Sequence, residues 1–461
     1  MASSLRLPLW PKRTGNPDEV QDRAPARTTE LGLLLLSAFI ITALYALAEL
    51  GAKGAIPKSL WLFAVFIVGI SLVLHVAITW LAPYSSQVLL PLCTLLNGIG
   101  YVEIVRWNPP EAKNQVTWVT VSAVALVVVL AIVRRIRDLD RYRYLTLLVA
   151  VGLMLLPLVP HIGVPINGAR LWVKAGPISF QPVEIAKILL AIFFASYLAA
   201  NRDMLSYSWV RSGVRGFINL RVLVPVVFAW GFAILVLGAE NDLGFSILLF
   251  ALFIAMIWVA TGRYFYVAAG LALLAGGLYF GAKAFRQVHQ RFTIWLNPWA
   301  PHAWSHGGAQ LGDGWFAIAA GGLTGTGVGL GQAGRTVSYL TRDMIFSAIA
   351  EEMGLLGIVV VVAAFILFVA EGFRIAQRCH SDFARLTAFA LAMIVGLQAF
   401  IIMAGVLRVL PLTGIVLPFV AYGGSSLVAN YVIVALLLRI SDENHRDLIG
   451  GEVRAIQFDS V

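Results

Sequence analysis

Charge is scarce in this chain. Asp, Glu, Lys and Arg make up 13% of its 461 residues, about half the share usual in soluble proteins. With hydrophobic residues at 59%, that excludes a large soluble core and leaves a polytopic membrane protein. Cysteine is scarcer still. Cys93 lies in an apolar run and Cys379 in a basic loop, giving neither a disulfide framework nor a metal motif. His302 and His306 share an i,i+4 spacing, but no third ligand lies nearby, so they read as loop histidines. There is no repeat of a soluble kind and no βαβ context for a nucleotide. A secretory h-region is missing too: residues 1–28 are polar and rich in Pro and Arg, and read as a disordered cytoplasmic tail.

What the chain has in abundance is long apolar runs. Runs of roughly 18–25 residues are membrane-span candidates. They fall near 30–50, 60–82, 86–105, 115–135, 144–160, 183–201, 221–239, 243–261, 264–285, 344–370, 384–405 and 412–439, twelve in all. The net charge of +10 does not point to nucleic acid, because the basic residues gather in short loops. Arg134, Arg135, Arg137, Arg141 and Arg143 follow the fourth run. Arg202, Arg211, Arg215 and Arg221 follow the sixth, and Arg374, Arg378 and Arg385 the tenth. In a twelve-span count all three loops share one side with both termini, which makes that side cytoplasmic. The expected fold is therefore an all-α polytopic membrane protein with its spans within 29–440 and a cytoplasmic tail at 441–461. One long extracellular loop covers about 286–343, well beyond ordinary connection length.

Charge that does occur near the outer side is clustered. The stretch 165–187 carries Arg170, Trp172, Lys174, Glu184 and Lys187. Gln181-Pro182 reads as a helix start, and Glu184 and Lys187 then share one helical face. A Glu–Lys pair at a span mouth marks a functional site or an interfacial Lys snorkelling to the headgroups; both readings stand. Glu240 and Asp242 sit in a short turn, where Asp242 suits a helix N-cap. Asp343 opens the tenth run, with Ser347 and Glu351 at i+4 and i+8. Glu351 would lie about 12 Å further along the helix. For Asp343, cap and catalyst are both open. Arg408 precedes a span broken by Pro411, Gly414, Pro418, Gly423 and Gly424, tolerable at depth where it lines a cavity or is buried in protein. It suits an anionic group or a buried partner such as Glu351. The glycines at 325, 327, 329 and 331 imitate a phosphate loop but lack the strand, and read as a flexible extracellular turn. Together the clusters suggest an outward cavity with cations for an anion and carboxylates for proton chemistry.

These blocks resemble the SEDS family of bacterial membrane proteins, the RodA/FtsW/SpoVE type. NGARLWVKAGPISFQPVEIAK, AENDLG, RFTIWLNPW with GGAQL and AAGGLTGTGVGLGQ, TRDMIFSAIAEEMGLLG and VLPLTGIVLPFVAYGGSSL resemble the family's motifs, in family order, over about 160–440. The departures are Val183 for Ser, Asn297 for Asp, Thr341-Arg342 for His-Thr, Arg408 for a small residue and Ala421 for Ser. Arg342 beside Asp343 is expected to hold that carboxylate ionised.

The resemblance implies a ten-helix core, here with two extra N-terminal helices, most like an actinobacterial RodA. It implies a peptidoglycan glycosyltransferase that polymerises lipid II into glycan strands outside the cytoplasmic membrane. A class B penicillin-binding protein would be its transpeptidase partner. Asp343 then matches the essential aspartate, and Arg170, Glu184 and Lys187 match cavity positions. Arg342 and Arg335 are added to Arg170 and Lys187 as cations for the diphosphate, and Trp172 lies beside them. Asp242, Glu351, Arg408 and Gln310 are expected to support the site. A divalent cation (Mg or Mn) on Asp343 competes with its role as base. A lipid II flippase is the rival function, and an FtsW-like division polymerase the nearer variant.

Overall fold

A computed structural model of the protein describes residues 26–166, 169–175, 178–202 and 242–459, with scattered positions between 205 and 238. Helices α1 (Thr28–Lys53), α2 (Leu60–Leu81), α3 (Leu89–Trp107) and α4 (Pro109–Ile132) open the chain. Gly54 ends α1 in the left-handed conformation, φ 70°, as a C-terminal glycine does. Asn108 starts α4: its side chain accepts from the Glu111 amide at 3.3 Å, and Pro109 and Pro110 occupy the first turn, where missing N–H groups cost little. Short α5 (Arg137–Arg141) leads to α6 (Arg143–Leu155). A three-stranded antiparallel sheet follows, of β1 (Gly163–Ile166), β2 (Ala169–Ala175) and β3 (Ile178–Phe180), with Trp172 opposite Val164 and Val173 opposite Phe180.

Helices α7 (Val183–Ala200), α8 (Leu243–Thr261) and α9 (Tyr264–Ala284) come next. Then follow α10 (Arg286–Leu296) and α11 (Ala309–Gly321), and last α12 (Ile345–Arg378), α13 (Asp382–Val406) and α14 (Gly424–Asp459). Helices α3, α7, α13 and α14 are the most buried of the long helices. Helix α4 packs on α14, α12 on α13, α6 on α7 and α1 on α3. Phe39, Trp80, Leu148 and Ile366 point outward, as suits a lipid-facing wall.

Among the described residues ten helices are long and apolar enough to cross a membrane, against twelve expected. The fifth expected span is shorter, α6 running through a 3₁₀ turn to Leu158. The seventh, 221–239, lies outside the described residues apart from isolated positions. The twelfth begins at Gly424 rather than 412, because the prolines and glycines before it leave 407–423 without helix. The region 286–343 is not one loop but holds α10 and α11, and 161–182 folds as the sheet rather than a plain connection.

The termini differ too. Arg27 belongs to the folded unit, its guanidinium donating to the Ser85 carbonyl at 2.9 Å and pairing with Glu30. At the other terminus α14 continues through Ser441 and Asp442, both buried. Ser441 accepts from the Ser86 amide at 3.0 Å and Glu443 from the Ile136 amide at 2.9 Å. One end of the bundle thus gathers residues 27, 85–86, 136 and 439–443. Gly424 opens α14 about 27 Å away, given 1.5 Å per residue.

Candidate functional site

At the Gly424 end a cavity of about 390 Å³ is lined by side chains from distant parts of the chain, among them Trp172, Glu184, Asp242, Arg291, Arg342 and Asp343. Each is placed by an identifiable local feature. Glu184 lies in the first turn of α7, and the preceding Gln181 amide donates to Ser425 Oγ at 2.9 Å, tying β3 to α14. Asp242 is the N-cap of α8: Oδ1 accepts from the Phe245 amide at 3.0 Å, while buried Oδ2 has no hydrogen-bond partner among the described residues. Arg291 reaches in from α10, anchored through Nη1 on the Leu412 carbonyl at 2.6 Å. Gly414 faces it with φ 77°; a Cβ there would lie 3.3 Å from the guanidinium. Asp343 sits in the turn before α12 and is not its cap, since the N-cap position is Met344. Gln310 also lines the cavity, its Nε2 buried and unpartnered among the described residues.

Burial pushes Asp343 from 3.8 up to about 6, with Arg291 and Arg342 pulling only part of the way back. Arg342 therefore does not hold it at an ordinary carboxylate value: loss of water outweighs the neighbouring charge. Asp242 is likewise raised to about 6 by burial, offset in part by the Phe245 amide and Arg291. Burial lowers Arg291, and the charges of Asp242 and Asp343 oppose that. The result is one guanidinium acting on two aspartates, with Glu184 in the same cavity.

The cavity thus unites Trp172, Glu184, Asp242, Gln310, Arg342 and Asp343 of the residues expected from sequence. Others lie elsewhere. Lys187 is fully buried behind Glu184, its ammonium on Glu184 Oε2 at 2.5 Å and Gln398 Oε1 at 2.7 Å. It supports the wall and does not line it. Arg170 is on β2, its side chain outside the described residues. Arg335 is exposed on a turn and absent from the lining.

Arg408 is exposed and left-handed, φ 61°. It donates to the Trp295 and Leu296 carbonyls at the end of α10, at 2.8 and 2.6 Å, and not to Glu351. Glu351 accepts from the Gln332 and Ala333 amides, each at 2.8 Å, and Glu352 from Gly329 at 2.7 Å. The glycine run is therefore a pinned loop, not a flexible turn. Its amides donate to carboxylates.

Sequence reasoning missed Arg291, Glu111 and Tyr422. Gln287 and Arg291 line the cavity together, and their i,i+4 spacing within RQVHQRFTIWL was a legible signal. Among the described residues no three His, Cys, Asp or Glu side chains meet, and Arg291 sets a positive charge against both aspartates. A second cavity of about 370 Å³, almost wholly apolar, lies between α8 and α9 and shares Asp242, Gln287 and Arg291 with the first. The pair suits an amphiphile with an anionic head. A carboxylate with a raised pKa beside a guanidinium can accept a proton while the cation takes up negative charge.

A family model described as the FtsW/RodA/SpoVE cell cycle protein matches residues 105–446. The peptidoglycan glycosyltransferase RodA of Mycobacterium tuberculosis is 34% identical over 433 residues, covering 92% of each chain. That of Mycobacterium leprae is 33% identical over 426 residues, covering 90% of each. Of solved structures, a chain of a peptidoglycan synthase complex superposes with a TM-score of 0.64 at 23% identity, over 78% of this chain and 98% of that one. RodA of Thermus thermophilus does so at 0.55 and 24%, over 77% and 96%.

Proposed function

The chain belongs to the FtsW/RodA/SpoVE family, and on that premise we propose that it is a RodA-type peptidoglycan glycosyltransferase polymerising lipid II for cell elongation and shape. It is a multi-pass membrane protein. The observation that carries the finer reading is the sharing of one cavity by Asp343, Arg291 and Arg342, next to an apolar cavity between α8 and α9 that shares Asp242, Gln287 and Arg291 with it.

The GlcNAc 4-hydroxyl of an acceptor lipid II attacks the MurNAc anomeric carbon of the growing strand. The hydroxyl proton passes to Asp343, the C–O bond to undecaprenyl diphosphate breaks, and the anomeric centre inverts from α to β. A positioned base contributes about 10²–10⁴-fold. Arg291 and Arg342 stabilise the departing diphosphate, as fixed cations do in phosphoryl chemistry. Glu184, backed by Lys187, shapes the wall. The isoprenoid tail lies in the apolar cavity.

The basic loops support a cytoplasmic-membrane orientation with the reaction on the outer face and both termini inside. A class B penicillin-binding protein is the proposed crosslinking partner; the structural relative that comes from a synthase complex supports this. The test is purified protein, with and without that partner, given labelled lipid II in detergent. Glycan polymer on a gel is expected. Detergent leaves nothing to flip, so intact lipid II throughout would return the question to transport.

A further inference from the structure

The Asn108–Glu111 turn joining α3 to α4 lies just before Trp118 of α4, which lines the cavity, and reaches the cavity's rim through Arg342. Glu111 Oε1 accepts from both Nε and Nη2 of Arg342, at 3.3 and 2.8 Å. Its Oε2 accepts from Thr341 Oγ1 at 2.6 Å. Two adjacent residues of the segment leading into Asp343 are therefore held by one carboxylate. That carboxylate is itself fixed: Glu111 lies in the first turn of α4, behind an Asn108 cap and two prolines, and α4 packs along α14. The Arg342 guanidinium stands 5.3 Å from the Tyr422 ring centroid, and the Tyr422 amide donates to the Thr341 carbonyl at 2.9 Å. Tyr422 and Arg342 both line the cavity.

An arginine carries five N–H donors in a rigid fork. Glu111 occupies two of them and sets the plane of the fork, leaving Nη1 and the second Nη2 hydrogen for an anion. Without that fixed partner, the carboxylate of the next residue, Asp343, on which the Arg342 charge already acts, competes for the guanidinium.

We propose that Glu111 is a positioning residue that aims the Arg342 guanidinium at the substrate diphosphate and keeps it off the Asp343 carboxylate. The proposal rests on the transferase reading above and adds the α3–α4 turn to the machinery. It acts through Arg342, and that sets the test.

Initial rates of lipid II polymerisation are measured against substrate concentration for wild type, Glu111→Gln, Arg342→Ala and the double variant. Hydrogen bonds between ionised partners are among the strong ones, so Glu111→Gln is expected to lower kcat/KM about tenfold. The double variant should be no worse than Arg342→Ala alone. Inhibition by added undecaprenyl diphosphate should weaken by a similar factor in Glu111→Gln. Glu111→Asp, which keeps the charge but shortens the reach, carries the same cycle if the glutamine variant fails to fold. Activity of Glu111→Gln within twofold of wild type, or losses that multiply in the double variant, would overturn the proposal. A wild-type protein that makes no polymer would instead remove the reading beneath it.

Discussion

Replacing Asp343 by Asn should slow catalysis by orders of magnitude while making the protein more stable. The carboxylate is raised from 3.8 to about 6 by burial, so its charged form is disfavoured by folding. The sign follows from linkage: between those values the native state binds more protons than the unfolded one, so stability falls as pH rises from about 4 to 6 and stays low above. The difference, at about 1.36 kcal/mol per pH unit, sets a ceiling of about 3 kcal/mol on the strain that Asn relieves. Thermal unfolding in detergent at pH 7.5 (~30 nM proton) reads the stability, and polymerisation of labelled lipid II reads the activity. The expected result is a higher midpoint together with a rate lower by about 10²–10⁴. In wild type the rate should climb with pH through about 6, as the base loses its proton. A variant that polymerises at the wild-type rate would refute Asp343 as base. One that loses both activity and stability would show a structural residue.

Three further outcomes follow from the geometry. Arg291→Ala should lower kcat/KM by about 10²–10³. It should also move the acid limb of the rate profile upward, because Arg291 pulls the Asp343 pKa down; an unmoved limb would separate the two residues. Lys187→Ala leaves Glu184 buried without its cation, at a cost of about 3–5 kcal/mol, so size-exclusion chromatography should show aggregation rather than a folded enzyme with weakened substrate affinity. Gly325→Ala should cost more than about 2 kcal/mol, since φ is 85° and a Cβ would sit 2.1 Å from the Glu352 carbonyl; a thermal midpoint equal to wild type would mean the loop is not pinned as described.

The sequence by itself determined the class of fold, the order of most spans, and six of the residues that meet in the cavity. The reason is physical: a lipid environment forces long apolar helices and makes each charge near it conspicuous. The Glu184–Lys187 pair and the Asp242 cap were legible because both are local, set by i,i+3 spacing and by the start of a helix.

What only the tertiary structure decided was which charges face one another. Arg342 and Glu111 lie 231 residues apart in the chain, and nothing in local spacing pairs them. Lys187 and Arg408 looked like ligands for an anion until packing gave the first to Glu184 and Gln398 and the second to carbonyls of α10. The glycine run's conformation depends on two glutamates about 20 residues later. A side chain's partner is fixed by three-dimensional proximity and by how much water is excluded, and neither quantity has a period that a linear sequence displays.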